Sequence, residues 1–295
     1  MTERLSIFNS GSDLDKSEAD WAVITGASDG IGRSYALNLA KSGYNVRLVA
    51  RSEDKLAKVA EEAMKLNPKI KADTVKMDLA KANPSDFAQL FDQRGRTSIV
   101  INCAGVMHNQ KLLQSDPIGL EAMIRVNVHP YVYMTKYALK HFDDKAKEHK
   151  KRNAIVYISG MACWFGMPYF GVAAGSKAFS YGLSNLTRKY IERSENLKGL
   201  VIVQSLHPSY VRTKLIKHKQ DPMSVTPDEC TTGALSDLPA EKLTCGAPMH
   251  SVKSWTVVPL IGQIFGPLNI PGSWDEISND RSVVCEPFID EESKT

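Results

Sequence analysis

The stretch TGASDGIG, residues 25–32, joins the apolar run WAVIT, residues 21–25, to an amphipathic pattern typical of a helix. Gly26 permits a tight turn, Gly30 lets backbone approach a pyrophosphate, and Gly32 allows helix and strand to pack closely. The free N–H groups that open the helix favour an anion. Three glycines alone are weak evidence, but at the first strand-to-helix junction they predict a dinucleotide site.

Short apolar runs alternate with amphipathic stretches along the rest of the chain. The runs are rich in β-branched residues, as expected of strands that are buried on both faces. The predicted strands are Trp21–Thr25, Asn45–Ala50, Ile70–Lys76, Ser98–Asn102, Ala154–Ser159 and Leu200–Leu206, and the predicted helices are Ile31–Ser42, Glu53–Leu66, Ser85–Asp92, Ile118–Phe142 and Ala174–Arg193. This alternation predicts an α/β fold with a doubly wound parallel sheet of the Rossmann type.

The length allows one large domain or two small ones, and we expect a single domain. The chain has 295 residues, of which 43% are hydrophobic and 24% charged, values typical of globular proteins. We expect an N-terminal tail over residues 1–17 and a dinucleotide-binding Rossmann domain over 18–225. Residues 226–295 are rich in proline and glycine, and we expect them to form a C-terminal lid or extension of the same domain on the substrate side, followed by a tail.

Charge and cysteine content exclude several classes of function. The net charge is +4 and its cations are scattered among acids, which argues against a nucleic-acid partner. Five cysteines without metal-ligand spacing predict no metal site and no disulfide framework, hence a reducing compartment. The acidic, polar N-terminus resembles neither a signal peptide nor a typical transit peptide. We therefore expect an intracellular protein, in the cytoplasm or in an organelle such as the mitochondrion.

Membrane contact is expected at most at the periphery. No apolar run reaches the ~18 residues that a membrane-spanning helix needs. A basic cluster over residues 145–152 is interpreted as a solvated loop, with contact to an acidic partner or lipid headgroups as the alternative. The apolar stretch WTVVPLIGQIFGPL, residues 255–268, is interpreted as a lid or core segment, with a membrane contact or a partner surface as alternatives.

The second predicted strand ends in LVARS, residues 48–52. A cofactor without a 2′-phosphate is usually recognised there by an acid that binds the ribose hydroxyls. This chain has Ala50 followed by Arg51, and a guanidinium can bind a 2′-phosphate and stack on adenine. The pattern favours NADP(H) over NAD(H), the alternative being that Arg51 simply faces solvent.

With these motifs the chain, from about residue 18 to residue 250, resembles the short-chain dehydrogenase/reductase family. NCAG at 102–105 stands for the family's NNAG, and HPSYVRTKL at 207–215 resembles the segment that embraces the nicotinamide. GYNVRLVARSEDKL, PSYVRTKL and TPDECTTGALSDL are most similar to the 17β-hydroxysteroid dehydrogenase / 3-ketoacyl-CoA reductase branch. The cofactor-binding residues expected from glycine turn, strand end and resemblance are Gly26, Ser28, Gly30, Ile31, Gly32, Arg51, Asp78, Leu79, Asn102, Ala104, Gly105, Lys177, Pro208, Val211 and Thr213.

The catalytic residues of that family are only partly retained. In the family a tyrosine transfers the proton, a lysine four residues later lowers its pKa and holds the ribose, and a serine thirteen residues before the tyrosine binds the same oxygen. Aligned without gaps on residues 158–177, with Pro168 spaced as in relatives, the lysine is Lys177. Ala173 then occupies the tyrosine position and Gly160 the serine position. Lys177 and Asn127, where relatives keep an active-site asparagine, are the remnants.

Nearby groups do not easily replace the missing hydroxyls. Ser159 is one residue off, so on an extended strand it points to the opposite side. Tyr169 and Tyr181 lie eight residues before and four after Lys177. Tyr169 remains a candidate if its loop is irregular. Cys163 is interpreted as a small buried thiol, because no partner histidine is placed by spacing.

Two functions are therefore expected from the sequence. We favour a catalytically impaired family member, a pseudoenzyme that binds NADP(H) and serves as a structural, regulatory or accessory subunit. Because the helix 174–193 forms the dimer interface in many relatives, the resemblance implies a homodimer or a subunit of a larger assembly. The alternative is an active NADPH-dependent ketosteroid or 3-ketoacyl reductase that uses a displaced hydroxyl such as Tyr169.

Overall fold

The computed structural model describes Leu5 and residues 19–91, 95–107, 112–146, 151–164, 171–216 and 222–252. Its strands are β1 (Trp21–Thr25), β2 (Asn45–Ala50), β3 (Ala72–Lys76), β4 (Thr97–Asn102), β5 (Asn153–Ile158), β6 (Val201–Leu206) and β7 (Leu243–Thr244). Its α-helices are α1 (Gly30–Lys41), α2 (Glu53–Leu66), α3 (Pro84–Gln89), α4 (Pro117–Asn127), α5 (His129–Ala146), α6 (Gly171–Arg193) and α7 (Pro227–Asp237). Within these ranges, no helix is both long and apolar enough to cross a membrane.

The described strands form one parallel sheet in the order β3-β2-β1-β4-β5-β6-β7. Helices α1, α2 and α7 pack on one face, and α3, α5 and α6 pack on the other. The predicted doubly wound Rossmann fold is therefore confirmed. The chain runs outward from β1 to β3 and then returns to β4 beside β1, so the loops after β1 and β4 diverge. A crevice at such a switch point is where ligands of this architecture bind.

The sheet residues explain why the strands are apolar on both faces. In β1, Ala22 and Ile24 join the core under α1 and α2, while Val23 joins the core on the other side. In β4, Ile101 and Val100 alternate in the same way. Successive strand side chains point to opposite faces, so each buried strand contributes to both cores and has no polar side to show.

The main correction concerns the predicted helix Ile118–Phe142, which is two helices. Helix α4 ends at Asn127 and α5 begins at His129, with Val128 between them at φ −116° and ψ −62°. Pro130 lacks the N–H that a continuous helix would need at this point. The two helices share one apolar periodicity, so the sequence pattern predicted a single helix. Every other predicted boundary differs from the structure by three residues or fewer.

Helix α7 and strand β7 were not predicted. Helix α7 opens with a capping box, in which the Thr226 hydroxyl accepts from Glu229 N–H and the Glu229 carboxylate accepts from Thr226 N–H. The motif TPDE was a readable signal for this start. Strand β7 has two residues, Leu243–Thr244, which is too short to carry a periodic pattern. The domain boundaries at residues 17 and 225 remain a prediction, and residues 255–268 lie outside the described ranges.

Candidate nucleotide-binding and active site

The glycine-rich turn after β1 is held closely by its neighbours. Gly26 and Gly30 have φ of +67° and +55°, which residues with a Cβ rarely adopt. A Cβ on Gly26 would lie 2.9 Å from the Cα of Ala104, and one on Gly30 would lie 3.0 Å from the Cγ2 of Thr213. A Cβ on Gly32 would lie 2.3 Å from the Gly26 carbonyl oxygen, so glycine is what lets α1 pack on the turn.

The first turn of α1 carries an ion pair. The Asp29 side chain caps the helix by accepting from the Gly30 N–H at 2.8 Å. Its other oxygen lies 2.8 Å from the Lys214 Nζ, in the segment after β6. Burial alone would raise the pKa of the Asp29 carboxyl, but Lys214 and the Gly30 N–H together hold it below its usual value. Ser28 and Ile31 beside this cap are partly exposed.

The ends of β1 and β4 are joined at the switch point. The Thr25 hydroxyl donates to the Ile101 carbonyl oxygen and accepts from the N–H groups of Cys103 and Ala104. Asn102 is 1% exposed, and neither amide atom of its side chain has a hydrogen-bond partner among the residues that the structure describes. A buried amide without partners is costly, so this one fits a site that a polar ligand or water completes.

The residues Arg51, Asp78 and Leu79, expected to bind the cofactor, follow β2 and β3, which lie one and two positions from β1 on the same side of the sheet. Arg51 is exposed directly after β2. Asp78 follows β3, and its carboxylate accepts from the Ala80 N–H at 3.1 Å, while Leu79 is buried. Since carboxyl ends of parallel strands share one edge, these residues lie at the same edge of the sheet as the glycine-rich turn.

Asn127, at the end of α4, holds the loop after β4. Its Oδ1 accepts from the Val106 N–H at 2.8 Å, and its Nδ2 donates to the Val106 carbonyl oxygen at 2.9 Å. The same Nδ2 lies 3.0 Å from the Ser176 hydroxyl on α6. Asn127 is buried, and these contacts use its amide to connect α4, α6 and the loop.

Lys177 on α6 reaches the end of β5. Its Nζ donates to the Ile158 carbonyl oxygen at 2.9 Å and lies 5.9 Å from the centre of the Tyr131 ring. A Cβ on Gly105 would lie 3.5 Å from both this Nζ and the Asn127 Oδ1. The structure therefore brings the two remnants and NCAG together. Burial lowers the pKa of the Lys177 ammonium from its ordinary value.

Neither Ala173 nor Gly160, the positions expected to replace the family's tyrosine and serine, offers a proton here. Ala173 is a buried methyl on α6. Gly160 follows β5, and among the described residues the nearest contact of an added Cβ would be the Pro208 carbonyl oxygen at 3.8 Å. The Ser159 hydroxyl donates to the Lys177 carbonyl oxygen at 2.8 Å. Tyr169 and Pro168 lie outside the described residues.

A thiol–imidazole pair next to Gly160 was missed by the sequence reasoning. The Sγ of Cys163 lies 3.5 Å from Nδ1 of His207, whose Nε2 lies 2.8 Å from the Ser205 hydroxyl. The His207 ring stacks on Trp164 and meets Tyr181 edge-on. Burial raises the pKa of the Cys163 thiol to about 11 and lowers that of His207 to about 3, so both are neutral near pH 7. A neutral pair is not the thiolate that nucleophilic chemistry needs.

A family model described as short chain dehydrogenase matches residues 20–224, more than half of the chain. The chain belongs to the short-chain dehydrogenase family. The match takes in β1 to β6 and the whole run of expected site residues from Gly26 to Thr213. The resemblance predicted from the motifs is therefore confirmed.

Two curated relatives fall in the predicted branch of the short-chain dehydrogenases. The very-long-chain 3-oxoacyl-CoA reductase of Mycosarcoma maydis is 30% identical over 246 residues, which cover 82% of this chain and 67% of that protein. The 17-beta-hydroxysteroid dehydrogenase type 3 of Homo sapiens is 31% identical over 246 residues, which cover 80% of this chain and 74% of that protein.

Solved structures share the fold of this short-chain dehydrogenase. A short-chain dehydrogenase from Sphingobium yanoikuyae in complex with NADPH superposes with a TM-score of 0.70 at 22% identity, covering 91% of this chain and 99% of that chain. An alcohol dehydrogenase from Thermococcus sibiricus complexed with 5-hydroxy-NADP gives a TM-score of 0.65 at 25% identity, covering 76% of this chain and 92% of that chain.

We expect the buried imidazole to make stability depend on pH. The pKa of His207 is about 3 when folded against an ordinary 6.5, so between these values the unfolded chain binds a proton that the folded chain does not. The free energy of unfolding therefore falls as pH drops below 6.5, by about 2 kcal/mol at pH 5 from this residue alone. Urea unfolding of wild type and His207→Phe at pH 7, 6 and 5 measures this loss of stability. If the free energy of unfolding depended on pH equally in the two proteins, the low pKa of folded His207 would be contradicted.

Proposed function

We propose that this short-chain dehydrogenase binds NADP(H), reduces carbonyl compounds only inefficiently, and serves as a structural, regulatory or accessory subunit. One observation carries the proposal. The glycine-rich turn and its surroundings have the close packing that a dinucleotide site requires, while Ala173 and Gly160 provide no donor beside Lys177. The nucleotide then stabilises the fold by mass action instead of reacting.

For each chemical group of NADP(H), the chain has residues that suit it. The start of α1 suits the pyrophosphate, Arg51 suits a 2′-phosphate, and Lys177 suits the ribose beside the nicotinamide. Pro208, Val211 and Thr213 would flank the nicotinamide, which when bound supplies a hydride. The unsatisfied Asn102 amide and the two NADP-type complexes among the structural neighbours support this cofactor.

The argument for impaired catalysis is chemical. Hydride addition to a ketone creates an alkoxide that must be stabilised and protonated. A general acid contributes ~10²–10⁴ in rate, and an oxyanion donor contributes a further ~10²–10³, although such effects do not simply add. Alanine and glycine supply neither. Lys177 and Asn127 remain, but the first donates to the Ile158 carbonyl oxygen and the second holds Val106.

Exposed apolar side chains support the accessory role. On α6, Phe179, Leu186 and Tyr190 are 37%, 66% and 59% exposed, and their spacing places them along one side of the helix. Apolar groups clustered on a surface mark contacts with other proteins. We therefore propose self-association or docking to a larger assembly through this side of α6.

The second candidate is an active NADPH-dependent ketosteroid or 3-ketoacyl reductase. The names of the two curated relatives, a reductase and a dehydrogenase, favour it. It needs a displaced hydroxyl such as Tyr169. Turnover of NADPH with a panel of ketosteroids and 3-ketoacyl substrates, abolished by Tyr169→Phe, would support this candidate against the first.

Nucleotide binding without turnover is the direct test. We expect NADPH at a hundredfold excess over its Kd to raise the free energy of unfolding by about 2.7 kcal/mol, with no NADPH consumed in the presence of the ketone panel.

Replacing Arg51 with Ala should weaken NADPH binding by about 10- to 100-fold, because hydrogen bonds to a charged group are each worth about 1.5–3 kcal/mol, and should change NADH binding little. Titration calorimetry measures the affinities for NADPH and for NADH.

Lys58→Ala, which removes an exposed cation of α2, is the matched control and should leave both affinities unchanged. Equal weakening of NADPH and NADH by Arg51→Ala would contradict recognition of the 2′-phosphate. Absence of any binding would contradict the proposed function itself.

A further inference from the structure

The ion pair between Asp29 and Lys214 joins two segments that are far apart along the sheet edge. Asp29 belongs to the turn after β1, and Lys214 follows β6. These strands are three positions apart in the sheet, roughly 14 Å at ordinary strand spacing. The 2.8 Å contact between the two side chains therefore connects segments whose strands have β4 and β5 between them in the sheet.

A second contact accompanies the ion pair. The Cγ2 of Thr213 would lie 3.0 Å from a Cβ on Gly30, so the backbone of the turn and the segment after β6 also touch directly. Between β1 and β6 in the sheet lies β4, which ends at Asn102, whose buried amide lacks partners among the described residues. The two contacts thus join the turn after β1 to the segment after β6 at the edge of the sheet where a dinucleotide would lie.

Asp29 places a carboxylate at the start of α1, where the pyrophosphate is expected. A carboxylate beside the first N–H of α1 repels an incoming pyrophosphate unless a cation compensates it. Lys214 supplies that cation, and the lowered pKa of Asp29 reflects it. Two roles for the pair can be separated. If Lys214 only screens the charge, removal of Asp29 strengthens nucleotide binding. If the pair closes the crevice, removal of either partner speeds release.

We propose that Asp29 and Lys214 form a clasp that closes over a bound dinucleotide and slows its dissociation. This proposal rests on the proposed binding of NADP(H). Both residues act as positioning residues, because they hold the turn and the segment after β6 together across the crevice. The clasp opens when the ion pair breaks, and the nucleotide leaves through the gap between its two sides.

Dissociation of NADPH, followed by stopped-flow fluorescence with excess NADP⁺ as the chase, tests the clasp. We expect Lys214→Met and Asp29→Asn each to raise the dissociation rate about two- to fivefold, the upper range for a partly exposed ion pair. The double variant should be no faster than either single variant, because both remove the same contact. Asparagine caps a helix as well as aspartate, so Asp29→Asn keeps the start of α1.

Lys242→Met is the matched control. It breaks the exposed pair between Lys242, directly before β7, and Glu192 on α6, which lie 3.8 Å apart, and should leave the rate unchanged. An unchanged or slower release from Asp29→Asn would overturn the clasp while nucleotide binding stands. Wild-type protein that shows no saturable NADPH signal would instead refute the proposed function.

Discussion

The double variant Ala173→Tyr/Gly160→Ser is expected to reduce ketones with NADPH about 10²–10⁴ times faster than wild type, the range that a positioned general acid supplies. Tyrosine at 173 stands four residues before Lys177 on α6, one helical turn away, where the ammonium lowers the pKa of the phenol. Serine at 160 adds a donor for the same oxygen, and among the described residues a Cβ there would meet only the Pro208 carbonyl oxygen, at 3.8 Å.

Steady-state NADPH oxidation with the panel of 3-ketoacyl and ketosteroid substrates measures this gain. The matched control is Ala173→Phe/Gly160→Ser, which adds the same ring without its hydroxyl and should stay at the wild-type rate. Melting temperatures of all variants show that they fold. A wild-type rate that neither double variant exceeds would mean that another group already donates the proton.

The sequence predicted the local parts of the fold because local chemistry determines them. Strands β1 and β2 were predicted residue for residue, since each is an apolar run that ends at a glycine-rich or charged turn. The break between α4 and α5 was missed although Pro130 was in view, because apolar spacing continues across it. The start of α7 was also readable in the TPDE motif, and only β7 carried no local signal.

In the candidate site, too, the features that depend on local sequence were predictable and the long-range contacts were not. The three glycines of the turn could be named because each meets a steric demand within one strand-to-helix junction. The contacts of Cys163 with His207 and of Asp29 with Lys214 could not be named. Their partners are far apart in sequence and meet because the segments that follow β1, β5 and β6 lie at the same edge of the sheet. No spacing rule reports such an encounter, since it depends on the packed arrangement of several strands.

Gly32→Ala is expected to be the most destabilising single change in the nucleotide site. An added Cβ would lie 2.3 Å from the carbonyl oxygen and 2.7 Å from the carbonyl carbon of Gly26, and 3.2 Å from the Cα of Ala27. All three are backbone atoms, which cannot rotate aside as a side chain can. Helix α1 must therefore move off the turn. We expect a loss of about 3 kcal/mol, the upper end for overpacking, and loss of the NADPH response.

Urea unfolding with and without NADPH measures both effects, and Gly182→Ala is the matched control. Gly182 lies within α6, and beyond the helix's own backbone an added Cβ there would have no heavy atom of the described residues within 4 Å. Alanine is the better helix former by about 1 kcal/mol, so this variant should be as stable as wild type or more stable. An added methyl group is thus expected to lower stability at Gly32 and to maintain or raise it at Gly182, because its neighbours differ. Wild-type stability and an undiminished NADPH response in Gly32→Ala would show that α1 does not need its close approach to the turn.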